Sequence, residues 1–154
     1  MEPKNILMKR SIIQKFIITL VFTGMLFPIF SQNSGTLSVT FKSSDTGGKY
    51  KPKNVLAVWV EDMQGNYIKT LMAKADKRKT HLNTWQASTK NAGSEYNTFD
   101  AITGATLSNH GTRMCSWNGR DYNDAEVTDG TYKIWMELTD KNSTGNFERF
   151  NIVK

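Results

Sequence analysis

The run Asn54-Val-Leu-Ala-Val-Trp-Val-Glu61 constrains the fold more than any other stretch of the chain. Its β-branched and aromatic residues favour extended backbone. Along an extended chain Leu56, Val58 and Val60 point one way, and Val55, Ala57 and Trp59 point the other. A strand that is apolar on both sides needs cover on both sides, so this run predicts a central strand in a layered structure.

The remaining strands arrange themselves around it. Thr36 to Lys42 alternates, with Leu37, Val39 and Phe41 on one face. After the turn Asp62-Met-Gln-Gly-Asn66, the run Tyr67 to Met72 returns as a hairpin partner. Thr112 to Trp117 alternates again, aligning Cys115 with Trp117. Asn118-Gly119 and Asp129-Gly130 are turn pairs, and Thr131 to Leu138 sets Tyr132, Ile134, Met136 and Leu138 on one side. Phe147 to Lys154 reads as a last strand. Between residues 71 and 99 lies a long excursion, in which the spacing of Leu82 and Trp85 allows a short helix. The fold expected is all-β: an immunoglobulin-like β-sandwich of about seven short strands with one long irregular insertion. Long insertions in compact domains are usually functional or disordered.

Residues 1–31 read as a secretory signal peptide. Lys4, Lys9, Arg10 and Lys15 precede a short apolar run broken by Pro28, and Ser31 follows. Residues 32–154 then form a single β-sandwich domain, located in the periplasm or otherwise exported. Without residues 1–31 the chain holds 16 basic against 13 acidic side chains, which makes no case for nucleic acid. Cys115 is the sole cysteine, so an exported chain gains no internal disulfide from it; a buried strand position is expected instead. His81 and His110 are isolated and show no metal-site spacing. Neither histidine is tied to a nucleophile, and the acidic pairs Glu61-Asp62 and Asp121/Asp124 fall where turn chemistry accounts for them. An autonomous enzyme is not expected.

One stretch carries chemistry. Asp100-Ala101-Ile102-Thr103-Gly104-Ala105-Thr106 is small and uncharged after its first residue, with hydroxyls on either side of a Gly-Ala pair that leaves the backbone open to close approach. It resembles the acceptor motif of bacterial proteins that carry covalent FMN, such as subunits of sodium-pumping quinone reductases. In those proteins a transferase joins the FMN phosphate to the last threonine. The resemblance implies FMN on Thr106, with Asp100, Thr103, Gly104 and Ala105 as the rest of the cofactor-binding motif. It also implies an FAD:protein FMN transferase as partner, with Asp100 a contact for that enzyme or its metal. Trp85, Tyr96 or Phe99 would cover the flavin ring. The plainer alternative is that Thr103 to Thr106 is a turn entering an edge strand, capped by Asp100.

The segment Trp117-Asn-Gly-Arg-Asp121 with Gly130-Thr-Tyr132 resembles a structural hairpin of immunoglobulin-like modules in flagellar-hook-capping and other bacterial surface proteins. Together with the leader, residues 58–71 and the Asp100 motif, it resembles an uncharacterised family of predicted bacterial periplasmic proteins over most of residues 36–140. That resemblance implies export and a β-domain, and brings no established catalytic activity. It also suggests membrane electron-transfer or PepSY-type proteins as partners. Two functions follow as expectations: an electron carrier with covalent FMN, or a non-redox interaction module of the cell envelope that docks through the basic loop Lys74 to Lys79.

Overall fold

The computed structural model describes residues 35–154, apart from Thr46, Ser143 and Thr144. The signal-peptide reading of residues 1–31 lies outside the described residues. Strand β2 (Val55–Asp62) is the central strand its pattern predicts. It pairs antiparallel with β3 (Tyr67–Lys74) on one side and β6 (Thr131–Thr139) on the other. Beyond them, β4 (Ile102–Gly104) lies parallel to β3 and β7 (Asn146–Val153) antiparallel to β6, giving the order β4-β3-β2-β6-β7. A second sheet pairs β1 (Leu37–Lys42) antiparallel with β5 (Thr112–Trp117).

The two faces of β2 are buried by different means. Leu56, Val58 and Val60 join Ile134 and Tyr132 of β6 against Val39, Cys115 and Trp117 of the two-stranded sheet. Val55, Ala57 and Trp59 pack with Leu82 and Trp85, which lie beyond β3 in the chain. Ala57, Val58, Trp59 and Val60 are all fully buried. The all-β sandwich is therefore present, with the seven strands among the described residues split two against five.

Register shifts opposite Val58/Trp59 and Val60/Glu61 of β2 leave Leu71 and Ile68 as extra residues on β3, two bulges that increase its twist. Cys115 is buried on β5, as its strand position implies. Trp117 and Tyr132 meet edge to face at 5.0 Å, and Gly119 turns the chain at φ +72°. The two aromatics nevertheless sit in different sheets, so this hairpin-like segment crosses between layers instead of forming one ladder. Glu61 also departs from the turn expected of it. It is a buried strand residue whose Oε1 accepts from Trp59 Nε1 at 2.9 Å and from Ser88 Oγ at 2.6 Å. Asp62 does shape the turn, accepting from the backbone of Gln64 and Asn66.

Candidate functional site

The excursion after β3 has a topological cause. A strand laid parallel to its predecessor needs a crossover of a dozen or more residues, and β4 is parallel to β3. The crossover is largely regular: a 3-10 segment (Asp76–His81) followed by helix α1 (Asn83–Asn91). The expected irregular insertion is thus an ordered connection that brings residues 102–104 to the edge of the sheet.

Helix α1 begins after Leu82, which offers no side-chain cap. Its first turn is capped from β6 instead, where the Glu137 carboxylate accepts from Thr84 N at 3.3 Å and Trp85 N at 2.9 Å. Burial pushes the Glu137 carboxyl above its ordinary range, and these backbone donors pull the other way. With Trp85 fixed, a relay of hydrogen bonds follows. Trp85 Nε1 donates to Thr70 Oγ1 at 2.9 Å, Thr70 and Tyr67 share a bond at 2.8 Å, and Tyr67 OH donates to Asn97 O at 2.9 Å. Tyr67 can give its proton only to the carbonyl, so the Thr70 hydroxyl donates to Tyr67. Burial raises the Tyr67 phenol to about 12, which keeps that proton in place. The relay ties the sheet to the loop preceding the motif.

That loop is bent at two non-glycine residues in left-handed backbone, Tyr96 (φ 56°) and Asp100 (φ 55°). Asp100 holds the Lys69 ammonium at 3.6 Å; the lysine side chain is 5% exposed, the aspartate 54%. Past Asp100, residues Ile102–Gly104 pair with Met72–Lys74 as a short edge strand. The close approach that Gly104 permits is taken up by the chain itself. Lys74 lies across it, with its Nζ donating to Thr103 O at 2.8 Å, and a Cβ at Gly104 would fall 2.9 Å from that nitrogen. Two backbone bonds then join Leu107 to Asn54, at 2.8 and 3.0 Å. The motif is therefore anchored at both ends.

Thr106 stands half-buried between these anchors, whereas Thr103, Gly104 and Ala105 are exposed. Beside Thr106 is a niche of about 10 Å³ lined by Lys53, Asn54, Arg78, His81 and Lys141 among others. That room suffices for about one water, so any phosphate on Thr106 would rest at its mouth. The Asn54 Oδ1 atom is buried there without a partner. On the other side of the motif, Thr103, Gly104 and Ala105 form one wall of an open cleft of about 280 Å³. Ala73, Ala75, Asp76, Lys79, Trp85 and Thr98 complete it.

Four of the five residues of the expected motif thus come together around one edge: Thr103, Gly104 and Ala105 on the cleft, Thr106 on the niche. Asp100 lines neither, and its carboxylate faces Lys69. Of the three aromatics expected to cover a ring, Trp85 lines the cleft and Tyr96 packs on Trp85 at 5.5 Å. Phe99 is 59% exposed and lines neither space. The basic residues around Thr106 come from three separate segments, and no spacing in the sequence announced their convergence.

Searches of curated proteins and of solved structures return no match. A family model described as "Predicted periplasmic protein (DUF2271)" matches residues 36–152, which include the edge strand, the niche and the cleft. The chain belongs to this DUF2271 family of predicted periplasmic proteins.

Proposed function

We propose that this exported, periplasmic protein is an electron carrier that holds FMN covalently on Thr106. The observation behind this reading is the placement of the acceptor-like motif. It stands on an open sheet edge, with Thr106 between cationic side chains and a cleft. Attachment needs FAD and a transferase. The Thr106 Oγ1 attacks the FMN-side phosphorus of FAD, the pyrophosphate P–O bond breaks, AMP leaves and the hydroxyl proton goes to the transferase or solvent. No electrons change hands in that step.

The product is a phosphodiester carrying one negative charge; Lys53, Arg78 and Lys141 set three cations against the one carboxylate of the same lining, Asp140, and His81 adds ring nitrogens. Bound flavin would supply the one- and two-electron chemistry; this chain binds and orients it. Asp100 supports the site through Lys69 and the bend of the loop. Membrane electron-transfer or PepSY-type proteins are the partners this reading calls for.

The competing reading, a non-redox docking module using the Lys74 to Lys79 loop, has weaker support. Lys74 is bonded to Thr103, Arg78 stacks on Tyr50 at 4.7 Å, and Lys79 lies 4.8 Å above Tyr96. Arg78 and Lys79 also border the niche and the cleft beside the motif, so the loop's cations belong to the same site. The test is co-expression of the exported protein with a flavin transferase, followed by intact mass and in-gel flavin fluorescence. An FMN-sized mass increase that disappears in Thr106→Val is expected. No adduct, or one that persists in Thr106→Val, refutes the assignment.

A further inference from the structure

We infer that the cleft between β4 and the crossover seats the isoalloxazine ring of the flavin, with Asp76 and Lys79 reading its pyrimidine edge; this rests on the flavin reading of Thr106. Continuity is the first argument. Ala105 lines the cleft and is bonded directly to Thr106. A phosphate and a five-carbon ribityl chain separate the ring from the threonine, so the ring has the reach to fold back over Ala105. The cleft, about 280 Å³, lies near the lower end of small-molecule pockets at about 300 Å³. A seat of that size leaves part of the ring in solvent, which suits a carrier that must pass electrons to other proteins.

The lining fits a flat conjugated ring. Ala73 and Ala75 present little more than methyl groups, Gly104 presents none, and the buried Trp85 backs the lining. Asp76 and Lys79 are the charged side chains of the lining. They reach the cleft from either side of the backbone kink at Arg78 (φ −116°, ψ 16°). The pyrimidine edge of a flavin carries an N–H donor between two carbonyl acceptors. An acceptor and a cationic donor in one lining match it.

The loop that supplies Thr98 is strained on both sides of it. Tyr96 and Asp100 both hold left-handed backbone, which costs a β-carbon residue on the order of 1 kcal/mol or more. The structure over-determines both. Tyr96 N donates to Thr89 Oγ1 at 2.9 Å, Tyr67 holds Asn97, and Lys69 holds Asp100. The bend places Thr98 on the cleft. The Tyr96 hydroxyl is enclosed without a hydrogen-bond partner, and the Lys79 ammonium lies over the Tyr96 ring.

The test uses the transferase-loaded protein, with adduct mass recorded in every sample. Flavin emission, iodide quenching and midpoint potential are read in wild type, Thr98→Trp, which fills the cleft, and Lys79→Gln. In wild type, emission is expected to be quenched and iodide access severalfold below that of free FMN. Thr98→Trp restores both towards free FMN with an unchanged far-UV spectrum. Lys79 favours the negative charge of the reduced ring, so Lys79→Gln weakens that form about tenfold, lowering a two-electron potential by about 30 mV. An adduct whose wild-type emission and iodide access equal those of free FMN overturns the seat and leaves the attachment standing. A potential unmoved by Lys79→Gln overturns the role of Lys79. Absence of any adduct overturns the attachment, and the seat with it.

Discussion

Glu137→Ala tests whether helix α1, and with it the cleft, is held from across the sheet. Glu137 is fully buried on β6, and its carboxylate takes two backbone donors of the first turn of α1. Leu82 provides no substitute cap. Losing a cap costs about 1 kcal/mol, and stranding a buried donor costs about 1–3 kcal/mol. Relief of the burial cost, visible in the raised carboxyl, offsets part of this. The net expectation is a loss of about 2–3 kcal/mol, or roughly 10 °C in Tm for a domain of this size. Urea titrations followed by far-UV circular dichroism and tryptophan emission measure it. The pH dependence checks the sign. A carboxyl raised on folding contributes stability that is full below the unfolded value of about 4.3 and is lost as pH rises through the folded value. Glu137→Gln removes that titration, so its penalty relative to wild type should shrink from acidic to neutral pH. An alanine variant within about 0.5 kcal/mol of wild type, or a glutamine penalty that grows with pH, refutes the reasoning.

Other consequences can be measured on the same material. Asp100→Asn keeps a residue tolerant of left-handed backbone and loses only the half-exposed ion pair to Lys69, costing about 1 kcal/mol or less, whereas Asp100→Ala adds strain of about 1 kcal/mol. Equal melting curves for the two variants would show that the backbone bend is unstrained. Gly104→Ala should displace Lys74 from Thr103 at a cost of about 1 kcal/mol, and Lys74→Met should make the alanine nearly neutral; a double-mutant cycle with no coupling contradicts this packing. A Cβ at Gly48 would run into the Asp140 carboxylate and carbonyl, so Gly48→Ala should lower thermal stability by more than any surface substitution nearby. Cys115 is 2% exposed and burial pushes its thiol up to about 11, so iodoacetamide at mildly alkaline pH should label it only after unfolding. Rapid labelling of the folded protein would contradict its place in the core.

Local pattern was informative wherever a strand had to bury one or both faces. The two-sided apolar run 54–61 could satisfy itself only as β2, and the alternation of 131–138 could place Tyr132 and Ile134 only in the same core. The chemistry of Asp62 was likewise local, because its carboxylate bonds backbone groups two and four residues away. Glu61, one residue earlier, was misread for the opposite reason. Its partners are Trp59 and, 27 positions away, Ser88, and only the folding of α1 onto β2 supplies the latter.

By itself the sequence determined that this chain is a β-sandwich with a small, hydroxyl-bearing motif at residues 100–106. Both are matters of periodicity and of side-chain size, which neighbours in sequence settle. Tertiary structure alone decided what surrounds the motif. The parallel pairing of β4 with β3 demands a crossover, and that crossover brings Lys79, Asp76 and Trp85 to one side of residues 103–105. The loop before β2 and the end of β6 bring Lys53 and Lys141 to Thr106 on the other side, together with Arg78 of the 3-10 segment. Cations on separate segments share a site only when strand order places those segments together. Nothing in their individual spacing encodes that order.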